Sequence, residues 1–398
     1  MDSGSVAWML VASALVLFMT PGLAFFYGGL VRGKNAVNTI MYSFVSMGVV
    51  SVVWVLWGYS LAFGAGGQFI GNLDFIGFKD VSSDPESGDM LFAIFQMMFA
   101  IITPALITGA IAERFKFTTY LVFLVAWITF VYAPIAHWVW AGDGWLFEMG
   151  ALDFAGGTVV HINAGIAAVV AAWLVGKRRG VDRGVEPHNV PFVILGAGIL
   201  WFGWFGFNAG SGLAADGLAI SAFLVTNTAA AVAMVAWVIL GHIHTGKMSG
   251  VGAATGAVGG LVAITPASGF VGPMGALAVG LGSGVLTFYA VRIRHKFGFD
   301  DALEVMAVHG IGGIWGAIAT GIFAIGGIGL VDGSAEVLGY NVVATLATIV
   351  YSFIVTFIIL KILDVIPGLG LRADEADEDA GLDVALHGER AYVGDGAD

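Results

Sequence analysis

The sequence predicts an all-α polytopic membrane protein with eleven transmembrane helices, and three observations carry that prediction. The 398 residues are 58% hydrophobic and only 11% charged, less than half the ~25% charge of a soluble domain. Mean hydropathy is +0.91, more apolar surface than a water-soluble fold of this size can hide. The apolar residues also fall in continuous runs near the ~20 residues that cross a ~30 Å hydrocarbon core. Ten-residue alternating stretches, the mark of a membrane barrel, are not the pattern.

Taken in order, the runs cover 6–30, 37–63, 90–112, 118–141, 156–176, 191–211, 217–240, 250–265, 272–291, 302–325 and 341–366. The first is preceded by Asp2 and followed by Arg32 and Lys34, the reverse of signal-peptide charge order, so it is expected to stay as a helix. Alternate connections hold Arg32, Lys34, Arg114, Lys116, Lys177, Arg178, Arg179, Arg183, Lys247, Arg292, Arg294 and Lys296, while the remaining ones hold only Lys79. By the positive-inside rule the N-terminus is outside and the C-terminus inside. The expected organisation is a membrane domain over 1–366 and a cytosolic tail over 367–398. Sixty glycines without a Gly-X-Y period exclude a collagen-like chain, and the absence of cysteine removes disulfides and thiolate chemistry. The net charge of −12 comes with no basic stripe, so nucleic acid is not an expected partner.

Two helices share one spacing. Asp153 precedes His161 by eight residues in DFAGGTVVHINAG, and Asp301 precedes His309 by eight in DALEVMAVHGIGG. Spans 5 and 10 run in opposite directions, which makes 6–176 and 191–325 the halves of an inverted repeat, with 341–366 added. Eight helical residues rise ~12 Å against a half-thickness of ~15 Å, so both histidines reach the midplane. Two unrelated core histidines are the plainer alternative; matched depth, and the cost of ionisable groups in a membrane, favour a shared site. Asp153 and Asp301, each just ahead of a span, read as helix caps that support it.

Toward the outer end, span 3 carries Phe95 and Phe99, span 4 closes on Trp140, and span 6 ends in WFGWFGFNAGS. There Phe207 and Ser211 lie four apart on one face, beside Trp204 and Asn208. Singly each aromatic reads as core or interfacial belt. Together they offer π faces and a hydroxyl to a small cation.

PGLAFFYGGLVRGKN (21–35), DFAGGTVVHINAG (153–165), GWFGFNAGS (203–211) and VHGIGGIWGAI (308–318), in this order and on these spans, closely resemble the ammonium transporter (Amt/Rh) family, Amt branch. The resemblance runs to the tail segment GLDVALHGERAY (381–392). It implies a homotrimer in the cell membrane, each subunit with its own pore for ammonium or ammonia, and no cofactor. It implies that Trp140, Phe99 and Ser211 bind ammonium outside, that Phe99 and Phe207 form a gate, and that His161 and His309 line the pore. It also implies that the tail segment meets a PII-type signalling protein. ADEADEDAG (373–381) just before it reads as a solvated acidic linker.

These residue types suit ammonium. Cation–π contact is worth ~0.5–2 kcal/mol, and the Ser211 hydroxyl can accept a hydrogen bond. Carrying the bare ion into a low-dielectric core costs on the order of 20 kcal/mol in the Born limit, which such contacts do not offset. Releasing the proton and passing neutral ammonia between neutral imidazoles avoids most of that cost. Two other classes fit less well. A haem protein would use the paired histidines as iron ligands, though a two-haem cytochrome b repeats histidine pairs on single helices. An ammonium sensor would need an output domain, and the tail is only about 30 residues. His137 is expected at the outer interface, and His242, His244 and His295 in solvated cytosolic connections.

Overall fold

A chain in hydrocarbon must satisfy its backbone internally, so apolar runs become helices. The computed structural model describes residues 1–392, and every side chain among them except those of Arg183 and His295. The end of the expected 367–398 tail, 393–398, lies outside the described residues, as does the expected solvation of His295.

The helices are α1 (Ser3–Leu30), α2 (36–63), α3 (Asp89–Ile111), α4 (117–140), α5 (Gly157–Val175), α6 (Val190–Gly210), α7 (Gly217–Thr245), α8 (Gly250–Ile264), α9 (Pro273–Ile293), α10 (Met306–Phe323) and α11 (Glu336–Val365). Among the described residues, extended pairing is limited to one bridge, Phe115 with Arg372. Ten of the helices are long and apolar enough to cross a membrane, and α8 is shorter at 15 residues. Pro266 has no N–H to continue the α8 ladder.

Starts and stops follow from side chains. Asp2 accepts from the Ser5 amide at 3.0 Å and opens α1, and Asp216 accepts from the Leu218 and Ala219 amides at 2.9 and 3.1 Å and opens α7. Pro21 and Pro104 sit inside α1 and α3, each removing a ladder bond that its neighbours must cover. Helix α1 packs along α6, and α5 against α10. First pairs with first and last with last in the two predicted halves.

Four segments wind as π-helix: Trp54–Gly58, Ile128–Tyr132, Gly157–Ile162 and Met306–Ile311. The last two hold His161 and His309. This corrects the expected eight-residue helical rise, because Asp153 precedes α5 and each histidine lies in a wider π turn. Such turns are rare and gather at functional sites.

Three other expectations are corrected. Helix α7 runs through Thr245, so His242 and His244 lie in its last turn rather than in a connection, while both are exposed as expected. His137 is fully buried, with its ring nitrogens 2.9 Å from the Ala62 carbonyl and 2.6 Å from that of Gly67; the 64–72 loop folds over it.

The acidic stretch 373–381 is no solvated linker. It forms α12 (Glu375–Ala380), followed by α13 (Leu382–His387). Buried Glu378 accepts from Arg372 at 2.6 and 2.9 Å, and Arg179 pairs with Glu375 and Asp379 at 2.8 and 3.0 Å. Asp383 accepts from the Val37 and Asn38 amides at 3.0 and 2.8 Å, capping α2. The charges that looked like a linker answer the basic loops of the same face.

Candidate functional site

The site is a column of rings through the bundle. Trp140, at the end of α4, meets Phe99 of α3 edge-on, with ring centroids 5.8 Å apart. Phe99 lies against Phe207 of α6 at 4.3 Å, and Phe95 braces Phe99 at 4.9 Å. Phe99 and Phe207 are almost fully buried, so the column is closed at this pair. Below them His161 stacks under Phe207 at 6.0 Å and on Trp204 at 5.4 Å, and His309 follows at 5.3 Å. The Trp204 indole donates to Thr265 at 2.8 Å, which holds its ring in place.

The histidine Nδ1 atoms are 3.2 Å apart. One of them must carry the shared hydrogen and the other accept it. The Nε2 of His161 is buried without a partner. Beside the pair lies a cavity of about 10 Å³, bounded by Leu23, Ile102, Leu106, Val160, Val258 and the two histidines, at the lower limit for one water molecule. Nothing in the sequence marks those aliphatic residues as lumen, because a lumen wall and an ordinary core wall have the same composition.

Two carboxylates hold the pair from opposite ends. Asp153 accepts from four amides: Gly156 at 2.8 Å, Gly157 at 2.7 Å, Thr158 at 2.7 Å and Val159 at 3.2 Å. Its backbone carbonyl accepts from the Trp140 indole at 2.9 Å. Asp301 accepts from the Val305 and Met306 amides at 3.1 and 2.7 Å. Each thus takes up the unpaired first-turn donors of the helix that carries a histidine. Neither carboxylate is free to face the column.

Helices α5 and α10 meet at Gly165 and Gly310. A Cβ on Gly165 would stand 2.4 Å from the Gly310 Cα, where no real contact fits. Gly165→Ala is therefore expected to force the histidine helices apart and to lower the melting temperature, by overpacking of about 1–3 kcal/mol. An unchanged melting temperature would show that the crossing has slack.

Ser211 donates to the Phe207 carbonyl at 2.8 Å, which leaves its oxygen lone pairs as acceptors at the Trp140 end. Asn208 donates across to Thr226 at 2.9 Å and Asn163 to its own helix at 3.2 Å, so their amide donors serve packing. At the far end, His309 borders a cavity of about 530 Å³ that reaches Lys247 and Gly184 in the connections. Arg178, Arg294 and Glu304 line it as well. Arg178 is buried and bidentate to Asp300 at 2.8 and 2.9 Å, and fully buried Arg114 donates to the Asp300 carbonyl at 2.6 Å. In the sequence these arginines registered only as topology signals.

A helical membrane bundle around a thin apolar cavity, with a wider cavity at the His309 end, has the architecture of a small-solute channel or transporter. The profile described as Ammonium Transporter Family matches residues 7–392. The ammonium transporter of Bacillus subtilis is 48% identical over 98% of this chain and 99% of its own. Ammonium transporter Amt1 of Archaeoglobus fulgidus is 46% identical over 99% and 100%. The crystal structure of Candida albicans Mep2 superposes with a TM-score of 0.90 at 38% identity, covering 95% of this chain and 88% of that one. The chain belongs to the ammonium transporter family, and it is a transport protein rather than an enzyme.

Proposed function

We propose that this chain recruits ammonium at Trp140, Phe99 and Ser211, removes its proton, and conducts ammonia past the Phe99–Phe207 gate and the His161–His309 pair. The observation that carries this reading is the histidine pair itself. Its nitrogens are 3.2 Å apart, directly beneath two closed aromatic rings and beside an apolar lumen. Closed rings and an aliphatic wall offer nothing to replace the water around a cation, whereas ammonia needs only hydrogen-bond partners, and the unpartnered Nε2 of His161 is one.

The rest of the proposal follows the charge pattern and the family. The N-terminus is outside, α1 to α11 all cross the cell membrane, and the membrane domain ends near 366. The subunit works as a homotrimer, and its tail offers a PII-type protein a docking face. At the outer site Trp140→Leu is expected to weaken methylammonium competition and ammonium selectivity several-fold, as loss of a cation–π contact of ~0.5–2 kcal/mol requires. Unchanged competition in a folded variant removes Trp140 from the site.

A further inference from the structure

His161 sits in a turn wider than an α-helix makes, and a backbone of that shape has to be held. In an α-helix each N–H reaches the carbonyl four residues before it. The Asn163 N–H goes instead to the carbonyls of Thr158 and Val160. The Val159 carbonyl that it passes over is deep in the bundle, where an acceptor without a donor is costly. The side chain of the same residue covers it: Asn163 Nδ2 donates to the Val159 carbonyl at 3.2 Å. The other side of Val159 is fixed as well, since its N–H donates to Asp153 at 3.2 Å.

A second contact comes from outside the two repeated halves. Helix α11 packs along α5, and its Ser352 donates to the Asn163 carbonyl at 3.0 Å. Val159, Asn163 and Ser352 are all fully buried, so bulk water does not compete for either bond. Two positions after His309 stands Ile311, whose side chain has no donor. The first half therefore carries a polar brace at a place where the second has none.

We propose that Asn163 is the positioning residue for His161, its side chain holding the π turn open while Ser352 holds Asn163. If the Asn163 N–H returned to the Val159 carbonyl, the wide turn would lose one residue. The chain before it would then rotate by about 100°, the step per residue of a helix with 3.6 per turn. Gly165 is packed against Gly310, and Asp153 fixes the start of the turn, so His161 between them has to move. Its Nδ1 would leave the 3.2 Å approach to that of His309, and its ring would leave the cavity it borders. The functional part of the inference rests on the reading that the histidine pair lines the route.

The test compares three variants. Asn163→Leu is close to the parent in size but has no donor. Asn163→Ser keeps a hydroxyl that can donate to the carbonyl four residues back, and Ser352→Ala removes only the contact from α11. Each is reconstituted beside the parent and His161→Ala/His309→Ala, and ammonium-evoked current, melting temperature and the Nδ1–Nδ1 distance in a crystal structure are measured. Asn163→Leu is expected to part the two nitrogens and to lose current by up to about a hundredfold, the scale that a misplacement of about 1 Å brings. Asn163→Ser is expected to keep both the current and the distance, and Ser352→Ala to lose current severalfold while folding as the parent does. Parental current and distance in folded Asn163→Leu overturn the inference, as does a loss that Asn163→Ser shares. If Asn163→Leu does not fold, parental current and distance in Ser352→Ala overturn it. An undiminished current in the double histidine variant overturns the reading of the route, while the distance still tests the positioning role.

Discussion

Reconstituted protein carrying His161→Ala and His309→Ala is expected to give no ammonium-evoked current. The pair supplies the titratable groups on the cavity wall described above, and the rings above it are closed. A proton crossing there without them would meet aliphatic carbon, at a cost near that of a buried ion. Neutral ammonia can still pass through the enlarged tube, so ammonia-driven pH change inside vesicles should persist while current vanishes. His161→Glu is expected to do the reverse, holding a cation at the same depth and admitting potassium. The measurement is current with ammonium against potassium on purified, folded variants. A full, ammonium-selective current in the double alanine variant would mean that the proton takes another route and that the histidines serve packing.

The second large effect is on stability. Asp300→Asn is expected to cost about 3–5 kcal/mol, because it leaves the Arg178 guanidinium buried without its counter-charge. Arg178 binds both oxygens of Asp300, and Arg114 donates to the Asp300 carbonyl, so the loss reaches the connections before α4, after α5 and before α10. Burial alone would raise the Asp300 carboxyl, but the ion pair and hydrogen bonds with Arg178 prevail and hold it at about 2. A carboxyl held below its unfolded value of ~3.9 stabilises the fold above that pH, and the contribution disappears as pH falls from about 4 towards 2. The parent should therefore lose melting temperature across this window and Asp300→Asn should not, starting lower and staying flatter. Replacing both partners by apolar residues of similar size should recover much of the loss. A melting temperature of Asp300→Asn equal to the parent's would show the pair to be dispensable.

How much of the site was legible depended on what kind of signal each residue leaves. His161 and His309 stood out because ionisable residues are rare in apolar runs, and a repeated Asp-to-His interval needs no structure to be seen. Phe99, Phe207 and Trp140 were visible as aromatics, but their contact is a relation between three helices and leaves no trace in any one of them. Glu304 left a weaker mark, one acidic residue at the start of a predicted span, and only the structure shows its left-handed backbone and its place on a cavity wall. His137 read as interfacial by its position near a helix end, and the loop that buries it is 65 or more residues earlier in the chain.

By itself the sequence determined the membrane class, the runs that become helices, the expected inverted pairing and the residue types expected to handle ammonium. Those follow from hydrophobicity, charge placement and spacing, which are local properties. Tertiary structure alone decided that the two histidines sit in π turns with Nδ1 facing Nδ1 and that four amides occupy the Asp153 carboxylate. It also decided that the acidic stretch is helical and ion-paired to Arg179 and Arg372. The physical reason is that hydrogen bonds and ion pairs act over about 3 Å, so their partners are chosen by packing between distant segments, and spacing along the chain carries no record of that choice.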